Sequence, residues 1–183
     1  MSLKELTKEN HSRAERQEFV KIMFSGKINP HLYATYLYNQ FPMYEVLEVC
    51  AMPHGIFSDM VDVPRAKKIW TDYAELWGDK EGTPDRCKVV EEYVKHILSI
   101  KDDPKKLMAH IYVRHMGDLA GGQMIAKRVP GSGVFYQFVE PELAKQAIRS
   151  KIDDSMADEA KLCFDFATQL FVEMMEFVDY VDQ

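Results

Sequence analysis

In every long segment of this 183-residue chain, apolar side chains recur three to four positions apart, and no run alternates apolar and polar residues over strand lengths. That pattern restricts the chain to an all-α architecture, a single-domain compact helix bundle over residues 1–183. The length suits one domain that buries its own core. Start and stop signals divide the pattern. Ser2 with Glu5 reads as a capping box opening a first helix that runs to about Met23, and Ser25-Gly26-Lys27-Ile28-Asn29 stops it. Pro30 starts a second helix reaching Cys50, which Pro42 should kink or split. A third follows Pro64 and ends near Gly78, and Gly82-Thr83-Pro84 starts a fourth that runs to about Ile100. Asp103 then caps, with Pro104 at the first helical position, a helix that continues to Val129-Pro130-Gly131. A short aromatic stretch, VFYQFVEP, leads to final helices from Pro141 to Ser150 and from Met156 to the end.

Composition excludes several classes of function. A net charge of −6 without a Lys/Arg stripe argues against nucleic acid. The three cysteines, Cys50, Cys87 and Cys163, have no CxxC spacing and read as reduced thiols rather than a disulfide framework or zinc site. The polar N-terminus carries no signal-peptide core, and Asp165, Glu173, Glu176, Asp179 and Asp182 interrupt the last apolar segment, so a cytoplasmic protein without an anchor is expected. No flavin or nicotinamide fingerprint appears.

Two segments carry chemistry. The helix opened at Pro104 contains Tyr112-Val113-Arg114-His115-Met116-Gly117-Asp118-Leu119-Ala120-Gly121-Gly122-Gln123. Glycine inside a helix costs about 0.5–1 kcal/mol against alanine. Bare backbone at Gly117 and Gly121 would let a flat ligand lie against the helix or let the helix bend, and tight helix packing is the competing explanation. In the N-terminal helix, at about 100° per residue, Lys4, His11 and Glu15 share one face. An imidazole there could bind a metal through one ring nitrogen while a carboxylate or carbonyl holds the other N–H; an ordinary helix-face histidine is the alternative. Most of the eleven methionines read as core filler, and His31, His54, His96 and His110 show no metal-ligand spacing and read as structural or exposed.

At these segments the chain resembles the heme oxygenase family. GDLAGGQ, with Tyr112 and Arg114 before it, is similar to the family's distal helix, and TKENHSRAE to its proximal helix. AKQAIRSKI and EAKLCFDFATQLF follow in the expected order, so the resemblance covers essentially the whole chain. It implies heme b, both substrate and prosthetic group, sandwiched between a proximal N-terminal helix and a glycine-kinked distal helix, with His11 as iron ligand. It implies Lys4, Lys145 and Arg149 at the propionates, Tyr112 as a hydrogen-bond donor and Phe164 against the macrocycle. Asp118 would organise the distal water network that delivers protons, with Arg114 and Tyr44 beside it. The chain departs from the family pattern at His115, where tyrosine is frequent, and at Ala167, where asparagine frequently joins the water network. His115 could join a rewired network or point away.

The activity so implied is oxidative cleavage of heme by dioxygen and electrons to biliverdin, of the IX-alpha isomer, with carbon monoxide and ferrous iron. Electrons would come from an external donor, with reduced ferredoxin expected, docked on a patch including Lys4, Lys8 and Lys145. A downstream bilin reductase is a further possible partner. The alternatives are a heme carrier that uses the same slot without turnover and a thiaminase-like bundle that binds another small molecule.

Overall fold

The computed structural model describes residues 1–179. The expected continuation of the last helix to the C-terminus lies partly outside them. The helices are α1 (Leu3–Leu6), α2 (Lys8–Glu15), α3 (Glu18–Phe24), α4 (Pro30–Ala51), α5 (Ala66–Trp77), α6 (Lys88–Ser99) and α7 (Pro104–Ile111). After a π-helical turn over Tyr112–Met116 come α8 (Gly117–Ala120), α9 (Gly122–Ala126), α10 (Pro141–Arg149) and α11 (Ala157–Met174). No strand occurs among the described residues, and no helix there is long and apolar enough to cross a membrane.

The centre is α4, whose residues Leu32 to Leu37 are buried in succession because α5, α6 and α7 all pack on it. Helix α11 lies across α2, α3, α6 and α7, and one apolar cluster runs from Leu3 to Met174.

The first helix is three helices. Thr7 turns its hydroxyl back onto the Leu3 carbonyl at 2.9 Å, a bond that competes with helix continuation and bends the chain between α1 and α2. Gln17 is extended (ψ 144°), so α3 sets off anew. Pro42 does not split α4. Proline removes the partner of the Tyr38 carbonyl four residues earlier, and the Arg86 guanidinium donates to that carbonyl while lying 3.8 Å over the Tyr38 ring. The fourth expected helix begins four residues late. Buried Asn39 accepts the Cys87 N–H at 2.7 Å and donates to the Asp85 carbonyl at 3.1 Å, which holds that stretch outside the helix. The Ser2–Glu5 capping box and the Asp103 cap, which accepts from the N–H groups of Lys105 and Lys106, stand where expected.

Arg65 is fully buried. Its side chain donates to the carbonyls of Asp62, Val63, Pro64, Phe135 and Gln137 and stacks 3.9 Å from the Phe138 ring. The Asp72 carboxylate accepts the N–H groups of Val134 (3.1 Å) and Phe135 (2.9 Å). These bonds fix the aromatic stretch 134–138 against the glycine-bearing helices.

Candidate active site

The N-terminal half of the site is built on α2. Asn10 donates to Asp165 at 2.9 Å and Arg13 pairs with it at 3.5 Å, which ties α2 to α11. This places the His11 ring in a stack on Phe164, with centroids 5.1 Å apart and planes at 22°. The His11 side chain is 52% exposed and its Nε2 lies 2.9 Å from Glu15 Oε1. One ring nitrogen is therefore held by a carboxylate, leaving Nδ1 as the remaining lone pair. Sequence reasoning set Phe164 against a ligand; the structure adds that it orients the histidine. Lys4 is exposed but lies on α1, beyond the bend at Thr7, so the shared helix face expected for Lys4, His11 and Glu15 is interrupted there.

The glycine helix divides into two kinds of glycine. A Cβ on Gly117 would meet nothing within 4 Å, and one on Gly121 would make only ordinary contact with the Gly117 carbonyl at 3.4 Å. Both residues are exposed, as is Ala120 between them. Gly122 is different: its Cβ would fall 2.3 Å from Tyr136 Cδ1, in the stretch Arg65 and Asp72 immobilise. Helix packing thus explains Gly122, while Gly117 and Gly121 leave a bare strip. Overpacking costs typically about 1–3 kcal/mol, so Gly122→Ala is expected to lower the melting temperature by several degrees. Gly117→Ala, helical and free of any clash, should leave it unchanged or raise it slightly, and thermal unfolding of the two heme-free variants checks the difference. The helix also changes geometry at this point, through the π turn over Tyr112–Met116 and the break at Gly121. Such turns often mark functional sites.

Beneath the strip lies a buried polar set. Tyr44, from α4, donates its hydroxyl to Asp118, 2.8 Å from Oδ2 and 3.1 Å from Oδ1. Burial raises the Asp118 carboxyl well above its ordinary value, against the Tyr44 hydrogen bond and the charges of Arg65 and Arg114. Burial likewise raises the Tyr44 phenol. The Arg114 guanidinium donates through Nε to the Tyr93 hydroxyl (3.0 Å) and through one terminal nitrogen to Gln40 Oε1 (3.4 Å), and it lies 4.3 Å from the Tyr93 ring centroid and 5.3 Å from that of Tyr44. Gln40 in turn donates to the Tyr36 hydroxyl at 2.6 Å. The second terminal nitrogen of Arg114 is buried with no hydrogen-bond partner. Buried donors are rarely left so, and this one points to a polar guest or water at the site.

Tyr44, Arg114 and Asp118 were expected together and stand together. Gln40, Tyr36 and Tyr93 were not singled out. The available signal was polar Gln40 in the otherwise apolar α4; Tyr93 reads as core from its spacing. His115 packs edge-on against the Tyr44 ring, with centroids 5.3 Å apart, but makes its hydrogen bond outside this set. Its Nε2 lies 2.8 Å from Glu48 Oε2, and the Glu48 carboxylate accepts the N–H groups of Arg65 (2.5 Å) and Ala66 (2.9 Å) at the start of α5. His115 therefore clamps α4 and α5 to the π turn. Ala167 is half-buried and offers no hydrogen-bonding side chain.

Helix α10, which packs on the π turn and α8, brings basic residues beside the glycine strip. Lys145 is half-buried and paired with Glu142 at 3.0 Å, whereas Arg149 is exposed and without an ion pair among the described residues. Burial raises the half-buried Tyr112 phenol, which interacts with Thr7, the residue joining α1 to α2. The groups a flat anionic ligand would need are all present: an imidazole stacked on an aromatic ring, a strip of bare backbone, and cations on α1 and α10.

Comparisons with known proteins agree. The family model described as Heme oxygenase matches residues 1–173. Heme oxygenase 2 of Macaca fascicularis is 29% identical over 201 residues, and the chain, matched over 94% of its own length, spans 64% of that relative. Heme oxygenase of Guillardia theta is also 29% identical, over 95% of this chain and 85% of its own. Among solved structures, heme oxygenase-1 of the cyanobacterium Synechocystis, in complex with heme, superposes with a TM-score of 0.85 at 24% identity, covering 98% of this chain and 93% of that one. Heme oxygenase of Leptospira interrogans gives 0.78 at 26%, covering 94% and 100%. With a family model matched from the first residue to within a few positions of the last described helical turn, the chain belongs to the heme oxygenase family.

Proposed function

We propose that this chain binds heme between α2 and the Gly117–Gly121 strip and opens the macrocycle with dioxygen and electrons, giving biliverdin, carbon monoxide and ferrous iron. The observation that carries this reading is a buried Asp118, bonded to Tyr44, directly beneath an exposed glycine strip on which a Cβ would meet nothing at Gly117 and only ordinary contact at Gly121. When bound, heme supplies both the iron that activates dioxygen and the carbon skeleton that is cleaved.

The chain's own residues do the rest. His11 holds the iron while Glu15 and Phe164 fix the ring. Gly117 and Gly121 admit a small diatomic ligand without blocking it. Asp118 holds a proton at its carboxyl, and the Tyr44 hydroxyl keeps that group in one orientation. The unpaired nitrogen of Arg114 anchors water beside it. Lys4, Lys145 and Arg149 would hold the propionates, and through them the orientation that directs cleavage to the α-meso position. Tyr112 adds a donor at the rim.

A carrier with the same slot has no use for a protonated carboxyl there. Heme-loaded protein incubated under air with ascorbate or a ferredoxin system is expected to lose its Soret band and yield a bilin spectrum. A heme complex that persists unchanged would return the carrier reading.

Electrons come from a separate donor, which we take to be reduced ferredoxin acting on a cytoplasmic enzyme, with a bilin reductase consuming the product. Lys4 and Lys8 are exposed on α1 and α2, and Lys145 is half-buried on α10; together they would offer an acidic donor a positive surface. Activity with ferredoxin should fall as salt rises while activity with ascorbate does not. An equal response to salt in both systems would contradict this docking.

A further inference from the structure

We propose that His96, His110 and Glu159 form a binding site for a zinc-class divalent transition-metal ion, separate from the heme site. The residues come from α6, α7 and α11, which is why no sequence spacing announces them. Their ligand atoms, the two Nε2 nitrogens and one carboxylate oxygen, all lie within 4.8 Å of one another. Glu159 Oε1 sits 2.5 Å from His96 Nε2 and 2.8 Å from His110 Nε2. Two imidazoles and a carboxylate are a donor set suited to zinc, cobalt or ferrous ions, with a fourth position left for water.

The geometry asks for movement mainly at His96 and Glu159, since His96, the more exposed ring, closes toward the buried His110 from within 4.8 Å. Metal–ligand distances of about 2.0–2.2 Å put ligand atoms about 3.3 Å apart at tetrahedral angles. The Glu159 oxygen, which bridges the two rings, has to withdraw by a fraction of an ångström. The His96 side chain is 23% exposed and that of Glu159 14%, giving an entry path and room for water, while His110 is fully buried and fixed. His110 Nδ1 lies 2.8 Å from the Tyr93 hydroxyl, the outer hydrogen bond that metal-bound histidines generally make. The Phe166 ring packs against both His96 (5.6 Å) and Tyr93 (5.1 Å) and walls the site.

An ion here would reach the buried polar set through one residue. With metal on Nε2, the His110 proton resides on Nδ1 and donates to the Tyr93 oxygen. That oxygen already accepts the Arg114 Nε–H at 3.0 Å, so the Tyr93 proton turns toward Cys163 Sγ, 4.0 Å away. Occupancy thereby fixes the direction of the hydrogen bond between His110 and Tyr93, one bond from Arg114.

Titration of the full-length, heme-free chain with Co²⁺ tests the site, because cobalt in a low-coordinate nitrogen and oxygen environment shows visible d–d bands. One ion per chain is expected, displaceable by Zn²⁺, with bands retained in His11→Ala, which removes the exposed His11–Glu15 pair as a competing chelator. His96→Ala and Glu159→Gln should each weaken binding at least about tenfold. His96 is partly exposed and glutamine keeps an acceptor at 159, so both variants should fold, as circular dichroism will register. Absence of one-equivalent bands, or bands that survive both substitutions, would overturn the proposal. The titration needs no heme turnover, so it fails or succeeds independently of the proposed function.

Discussion

Replacing Asp118 by alanine is expected to leave heme binding close to that of the parent chain while cutting bilin formation by about a hundredfold or more, the usual range for a lost proton donor. The carboxyl is buried beneath the glycine strip and bonded to Tyr44, and it makes no hydrogen bond to a residue of α2, which carries His11. Its loss removes a proton source without touching the groups that hold the disc. The reading would fail if heme binding and turnover declined in step. Asp118→Asn separates chemistry from stability. Because burial raises the folded-state value well above the ordinary 3.8, the folded chain keeps a proton that the unfolded chain releases. The stability this confers is fully present below the ordinary carboxylate range and is lost as pH rises through the raised folded value. Asparagine has no such dependence, so the melting temperature of Asp118→Asn relative to the parent should climb with pH in heme-free protein. A constant difference between the two would mean that Asp118 is ionised throughout.

His11→Ala is expected to weaken heme binding at least about a hundredfold, since loss even of an outer partner of a metal ligand costs about tenfold to a hundredfold. The ligand-field spectrum of the remaining complex should change with it. The ring is exposed and contributes little to the core, so the melting temperature of heme-free protein should hardly move. Glu15→Gln should produce a smaller affinity loss through a misdirected ring. An unaltered heme spectrum in His11→Ala would assign the iron to another residue.

The parts of this fold that announce themselves in sequence are those governed by local chemistry. Ser2 with Glu5 and Asp103 with Pro104 mark helix starts because capping needs only nearby atoms. The departures come from distant partners. Nothing near Pro42 says that Arg86 will take over the Tyr38 carbonyl, and nothing near Pro84 says that Asn39 will hold residues 85–87 outside the helix. The same division runs through the site. Gly117, Asp118 and Gly121 stand out within one helix, and His11 with Glu15 within another. Tyr93, Gln40 and Tyr36 read as core or surface until α4 and α6 bring them to Arg114. Gly122 shows the limit of pattern alone, since it looks like its neighbours yet is required by Tyr136. His115 is another such case: a polar residue beside the motif whose partner, Glu48, lies 67 positions away.

The most direct measurement is a crystal structure of the heme complex. The iron should lie within bonding distance of a His11 ring nitrogen, with the backbone of Gly117 and Gly121 across the opposite face of the disc. His11 turned outward, with that glycine strip packed against protein instead of porphyrin, would contradict the account.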